Sequence, residues 1–331
     1  MHISFASSSA RKLLSFVLFL LACFSLNAFA DTNTEPHPPT GKVIIGAYVN
    51  GIRSIDFKAG TVELDLFVWF RTKGEKNILD SFETMNGSIG EKSSIVKKKI
   101  GDENYYSMRI IVKAFENYEL FKFPLDNQNL KLFIEDADEG SESLTFMPDD
   151  PNTKVGESVT LPGWKIGNVK ITVNPNMYET NYGDPSLGVD NSSFSRATLN
   201  IPIGRIGIGY FFKLFSTVFL SAFVTFLCFH IKPEHNEARF AVGVGGLFAV
   251  VASSFVLSSL LPESHLITMG EALLMITMGA IFVVLLESVL SLELWEHDKR
   301  ALALKLDRFA GWLMPITYLI VCAATIYFYL L

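Results

Sequence analysis

Between residues 41 and 204 apolar and polar side chains alternate in short runs, at 43–49, 61–70, 106–113, 130–134, 164–173 and 195–203. Period-two alternation over four to ten residues is the mark of a strand with one face buried. Turn-forming stretches separate the runs, for example Asp149-Asp150-Pro151-Asn152 and Gly183-Asp184-Pro185. The pattern predicts an antiparallel β-sandwich of immunoglobulin-like type. Beyond it the alternation gives way to four long apolar runs at about 209–230, 240–261, 266–292 and 309–331. Each is near the ~20 residues that cross the hydrocarbon of a bilayer, so four transmembrane helices are expected.

The first thirty residues carry Arg11 and Lys12, an apolar run at 13–24, and Ala28-Phe29-Ala30, a small-x-small cleavage site. Residues 1–30 are expected to be a signal peptide, with an uncleaved anchor helix as the alternative. The Pro-rich stretch within 31–40 is expected to be an unstructured lead-in, 41–205 an exported β domain and 206–331 the membrane domain. Export fixes the topology. The turns at 230–239 and 293–308 hold Lys232, Arg239, Lys299, Arg300, Lys305 and Arg308, whereas the outer turn Pro262-Glu263-Ser264-His265 holds no Lys or Arg. This matches the positive-inside rule with the β domain and the last residues outside.

Composition agrees with two zones: the mean hydropathy is +0.31 and the formal charge is −6 over 331 residues. No basic patch or motif for nucleic acid is present. The cysteines, Cys23, Cys228 and Cys322, lie in the signal and the membrane runs, so the exported domain must fold by packing without a disulfide. That domain has no histidine after Pro39, no cysteine cluster and no Gly-x-Ser-x-Gly, so neither an enzyme nor a cofactor or metal centre is expected. One acidic cluster, Glu135-Asp136-Ala137-Asp138-Glu139 with Glu142, reads as a solvated turn or as a calcium or cationic-ligand site.

The second apolar run is rich in small residues, among them Ala241, Gly243, Gly245, Gly246, Ala252, Ser253, Ser254, Ser258 and Ser259. Close helix packing and a water-lined pore wall both fit such a helix. In the third run Glu271 and Glu287 are placed at its outer and inner ends, interfacial rather than ion-binding, and Lys213 in the first run snorkels outward.

The segment Phe123-Pro124-Leu125-Asp126-Asn127-Gln128 resembles the Phe-Pro-x-Asp-x-Gln signature of the pentameric ligand-gated ion channels, the Cys-loop receptor superfamily. Phe194-Ser195-Arg196, Arg205, Tyr210-Phe211 and Leu260-Leu261-Pro262 are spaced like its last outer strand, pre-membrane arginine, first-helix start and pore-helix end. The resemblance runs from about Val43 to the end of the chain. The loop cysteines of animal members would fall at Glu116 and Leu130, and the turn between the third and fourth helices is short; both traits are similar to the bacterial branch.

The resemblance implies a homopentamer in a bacterial inner membrane, opened by a small-molecule or ionic agonist and passing cations. It implies a pore lined by Ala241, Gly245, Phe248, Ala252, Phe255 and Ser259, with the phenyl rings as gates and Glu237, just below the helix, as a selectivity carboxylate. Arg239 would oppose that carboxylate if it faced the lumen. Agonist residues carried over are Phe67, Tyr178, Tyr182 and Phe194, with Glu83, Glu135 and Asp136 nearby. Ala137 and Met85 stand where aromatics are usual, which leaves the aromatic box half empty. Coupling between domains is implied for Phe57, Phe123, Pro124, Asp126, Arg205, Pro262 and His265; Val218 and His265 replace family prolines. A non-conducting sensor of the same architecture, or one modulated by protons or divalent ions, is the alternative.

Overall fold

A computed structural model describes residues 41–181, 183 and 193–331. The expected signal peptide and lead-in, and Tyr182, lie outside the described residues. A β-rich domain precedes four long helices.

The strands are β1 Gly41–Asp56, β2 Thr61–Thr72, β3 Phe82–Thr84, β4 Gly87–Ile100, β5 Glu103–Phe115, β6 Asn127–Asp136, β7 Leu144–Pro148, β8 Lys154–Val155, β9 Trp164–Ile166, β10 Lys170–Met177 and β11 Ser193–Arg205. One sheet has the order β4-β5-β2-β1-β7, with β8 also on β1; the other has β10-β11-β6-β3, with β9 also on β11. Inward side chains of both sheets pool into one apolar core, including Val49, Leu66, Ile110, Leu132 and Ile201. Burial of each such side chain contributes about 1.5–3 kcal/mol, which lets the domain hold together without a disulfide.

Three departures from the expected strands have physical causes. Bulges at Asn50 and Arg53 shift the inward parity of β1, so the strand continues past Val49 where simple alternation breaks down. β4 carries no alternation because it is an edge strand exposed on both faces over most of its length, with Lys92, Lys97, Lys98 and Lys99 on it, a common protection of an open edge. The run at 164–173 is two strands, parted where the Gly167 N–H donates to the Pro202 carbonyl. The first sheet is also not wholly antiparallel: the chain crosses from β6 in the other sheet and enters β7 alongside β1 in parallel.

The long helices are α1 Gly209–Phe226, α2 Asn236–Leu260, α3 Met269–Glu296 and α4 Arg300–Leu330. All four are long and apolar enough to cross a membrane, so the chain is a multi-pass membrane protein. Two single 3₁₀ turns, Leu227–His230 and Pro233–His235, join α1 to α2. The predicted turn at 293–308 shrinks to residues 297–299, because Arg300 to Arg308 already wind into α4. The Thr268 hydroxyl accepts from Glu271 N–H (3.2 Å) and the Glu271 carboxylate accepts from Thr268 N–H (2.8 Å), so Glu271 belongs to the capping box that starts α3.

Candidate functional site

Three places gather the sequence-derived residues: the junction between the β-rich domain and the helices, the open face of α2, and the far end of the β-rich domain.

At the junction Arg205 ends β11 and Asp126 sits in the loop before β6. Arg205 Nε donates to Asp126 Oδ1 at 3.2 Å. The guanidinium is faced by Trp164 at 4.0 Å, Tyr210 at 4.4 Å, and Phe57 and Phe123 at 5.4 Å from the ring centroids. Four aromatic faces and one carboxylate thus hold a cation out of water. Gln128 bonds Asp126 Oδ2 at 2.6 Å and spans the loop to both the N–H and the carbonyl of Glu119. Phe123 precedes Pro124 through a cis peptide bond. The loop then reaches the helices through its backbone: Met269 N–H donates to the Phe121 carbonyl (3.0 Å) and Gly270 N–H to the Phe123 carbonyl (3.1 Å). These are N–H groups of the first turn of α3, which have no partner within the helix.

A cavity of about 750 Å³ lies beside these bonds, walled by Phe57, Glu116, Tyr118, Pro262, His265 and Glu271 among others. Pro262 and His265 thus wall the same cavity as the Phe57 turn, with His265 exposed. Glu116 stands just past the end of β5. Its carboxylate accepts from the Lys131 N–H, tying that end to β6 by a hydrogen bond. Burial pushes its carboxyl up to about 7. The aromatic side of Tyr118, which donates to the Thr61 carbonyl at 2.8 Å, packs on Phe57. The end of α4 meets the junction too: Tyr329 donates to the Ile267 carbonyl (3.1 Å), and its ring lies 4.4 Å from Phe121.

The small residues of α2 divide by face, one side packed against α1 and α3 and the other open. Gly243 and Gly246 are buried, and a Cβ there would overlap Leu285 or the Thr225 hydroxyl. Gly245 has nothing within 4 Å. Ala241, Gly245, Phe248, Ala252, Phe255 and Ser259 are all exposed, Phe248 at 69% and Phe255 at 71%. Glu237 lies in the first turn of α2 rather than below it, and is exposed.

Arg239 faces the other way. It is 1% exposed, its Nε bonds the Cys228 and Ile231 carbonyls, and its Nη2 lies 2.8 Å from Asp307 Oδ1 on α4. Glu287, 8% exposed near the same end of α3, belongs to this buried group. Its position near the helix end matched an interfacial carboxylate; what sequence distance did not reveal is that α4 begins nine residues early and brings Asp307 opposite.

In the β-rich domain Glu135 at the end of β6 meets Arg196 at 2.6 Å and accepts from the Tyr178 hydroxyl at 2.9 Å. Arg196 also lies over Phe133, 4.9 Å from its centroid, and Tyr178 meets Phe194 edge-on at 5.8 Å. Burial, then the bond to Glu135, pushes the Tyr178 hydroxyl up to about 12. Glu135, Tyr178 and Phe194 are thus one cluster, with Arg196 the member that sequence reasoning passed over. Asp136 is not available to a ligand: Lys76 (2.7 Å), Ser81 (2.6 Å) and the N–H groups of Asp138 and Glu139 use both its oxygens. Asp136 organises the turn. Glu83 stands opposite Glu135 in the β3–β6 pair and is exposed.

Phe67 lies on the other sheet, beneath Arg109 at 5.9 Å, and within one chain it does not join that cluster. Arg109 grips Asp65 through two bonds of 2.9 and 2.7 Å, and holds the Asp65 carboxyl below the usual range. Among the described residues no group of His, Cys, Asp and Glu is arranged to hold a metal ion. No family model matches the chain.

Proposed function

We propose that the chain is one subunit of a homopentameric, cation-conducting ligand-gated channel of the Cys-loop receptor type, set in a bacterial inner membrane with the β-rich domain in the periplasm. The observation that carries this reading is the exposed stripe on α2. Six residues spaced by alternating steps of four and three, two of them phenylalanines, face away from the rest of the chain. Lipid covers exposed rings on the other helices, but here they are interleaved with Ala241, Gly245, Ala252 and Ser259, and five copies about an axis would turn them into two hydrophobic constrictions in a small-residue lumen.

The inward turn of Arg239 supports cation preference, since Glu237 is then the charge that the first turn of α2 presents outward. The shared core of the two sheets supports an immunoglobulin-like sandwich. An agonist bound between neighbouring β-rich domains would meet Tyr178 and Phe194 of one copy and Phe67 of the next. Glu135 and Asp136 are already matched by Arg196 and Lys76, so a simple ammonium ligand would have to draw on exposed carboxylates such as Glu83. Binding would bias the Arg205 junction between two packings and so reach α3 and the pore.

The test is single-channel recording of the purified chain in planar bilayers, with a screen of amines, amino acids, divalent ions and pH steps. Glu237→Gln should move the reversal potential in a salt gradient toward zero. Absence of any conductance, with the chain purified as a monomer, would sink the reading. A proton-modulated sensor of the same build is favoured by one feature, the Glu116 carboxyl near 7 in the wall of the cavity that also holds His265.

A further inference from the structure

At the end of the helices farthest from the β-rich domain, a second cavity of about 430 Å³ opens between the 3₁₀ turn after α1 and the first turns of α4. Its walls include Phe229, His230, Lys232, Asp307, Arg308 and Trp312. The charges in it do not cancel. Asp307 lies 2.8 Å from Arg239, buried beneath the cavity floor. Among the described residues Lys232 pairs only with Glu234, at 3.6 Å between two side chains open to water. Arg308 is exposed and makes no ion pair with another described residue. Arg308 thus faces the opening unmatched and Lys232 faces it with only a water-exposed counter-charge, with His230 exposed beside them.

The rest of the wall is apolar and aromatic. Trp312 is 74% exposed, one turn along α4 from Arg308, and Gly311 lets α4 approach Phe229 so closely that a Cβ would stand 3.2 Å from the Phe229 Cβ. Phe309 and Leu313 continue this exposed apolar surface along α4. Tryptophan with Lys and Arg at the end of a membrane helix marks the level of the headgroups, and basic pockets between such helices attract anionic lipid.

We propose that this cavity binds the headgroup of an anionic phospholipid, Lys232 and Arg308 meeting its phosphate while Trp312 and Leu304 take the start of its acyl chains. A free phosphate would leave that apolar wall wet, so the lipid is the occupant that uses both halves of the site. The inference needs only that the helices cross a bilayer. It does not depend on conduction.

Native mass spectrometry of the full chain, released from nanodiscs of phosphatidylcholine with or without phosphatidylglycerol, tests it. The chain should retain phosphatidylglycerol in preference to phosphatidylcholine, and soluble glycerol phosphate should not displace it. Lys232→Gln with Arg308→Gln should weaken retention about 30-fold. Arg308→Lys, which keeps the charge, should retain the lipid and show that the fold is intact. Lys299→Gln with Arg300→Gln, basic residues at the same membrane end but outside the cavity, should leave retention unchanged. Equal loss in the two double variants, equal retention of both lipids, or displacement by glycerol phosphate would each overturn the proposal.

Discussion

Arg205 Nε lies 3.2 Å from Asp126 Oδ1, in a pocket where the two side chains are 9% and 1% exposed. The last strand before the membrane is thereby fastened to the loop that touches α3. Removing one partner leaves a charge in a low-dielectric pocket, so Asp126→Asn should destabilise the chain by about 3 kcal/mol. A double-mutant cycle with Arg205→Gln, read by thermal unfolding in detergent, should give a coupling above about 1 kcal/mol. Additive losses would mean that the aromatic faces alone hold the guanidinium.

Glu116 gives a pH dependence with a definite sign. Its carboxyl rises from the ordinary 4.5 to about 7, so the folded chain binds its proton more tightly than the unfolded chain does. The stability this group contributes is full below about 4.5 and is lost as pH climbs through 7. Glu116→Gln should remove that slope and raise stability at pH 8 by about 1 kcal/mol, a figure reduced for the partial exposure of the group. An unchanged difference between wild type and variant from pH 5 to 8 would show that Glu116 does not titrate there.

The two faces of α2 respond oppositely to a single methyl group. Gly246→Ala drives a Cβ into Thr225 of α1 and should destabilise by about 1–3 kcal/mol, whereas Gly245→Ala meets open space and should be neutral or, through helix propensity, slightly stabilising. Thermal unfolding in one detergent compares them directly. Equal penalties would contradict the assignment of packing and open faces.

If the open face of α2 lines a pore, trimming its rings should loosen the closed state. Phe248→Ala, and separately Phe255→Ala, should raise current without agonist about tenfold in reconstituted bilayers, as expected for a bias of ~1.4 kcal/mol against the dry state. Unaltered leak in both variants would remove them from the gate.

Much of this architecture was legible because hydrophobic periodicity is a local signal: the four long helices, the start of α1 and the cores of β2, β5 and β11 follow from it, whereas α3 begins and ends three to four residues later than its apolar run. β4 was not, since an edge strand wet on both faces has no reason to alternate. At the junction, Asp126 and Arg205 were visible only through the resemblance of their spacing to a known motif, but Trp164 beneath the guanidinium is brought there by β9 pairing with β11, which sequence distance does not encode. The same limit applies to Arg196 beside Glu135 and to Arg239 beside Asp307. Each belongs to a partner choice made in three dimensions, which pairs Glu135 and Asp307 with a cation from elsewhere in the chain.

The two hydrogen bonds from Met269 and Gly270 to the carbonyls of Phe121 and Phe123 join main chain to main chain. Conventional scanning mutagenesis is blind to such a link, because every replacement side chain other than proline keeps the same N–H and C=O. Sequences at this junction are therefore free to drift while the mechanical connection persists, and an amide-to-ester exchange at residue 269 or 270, rather than an alanine, is the perturbation that would sever it.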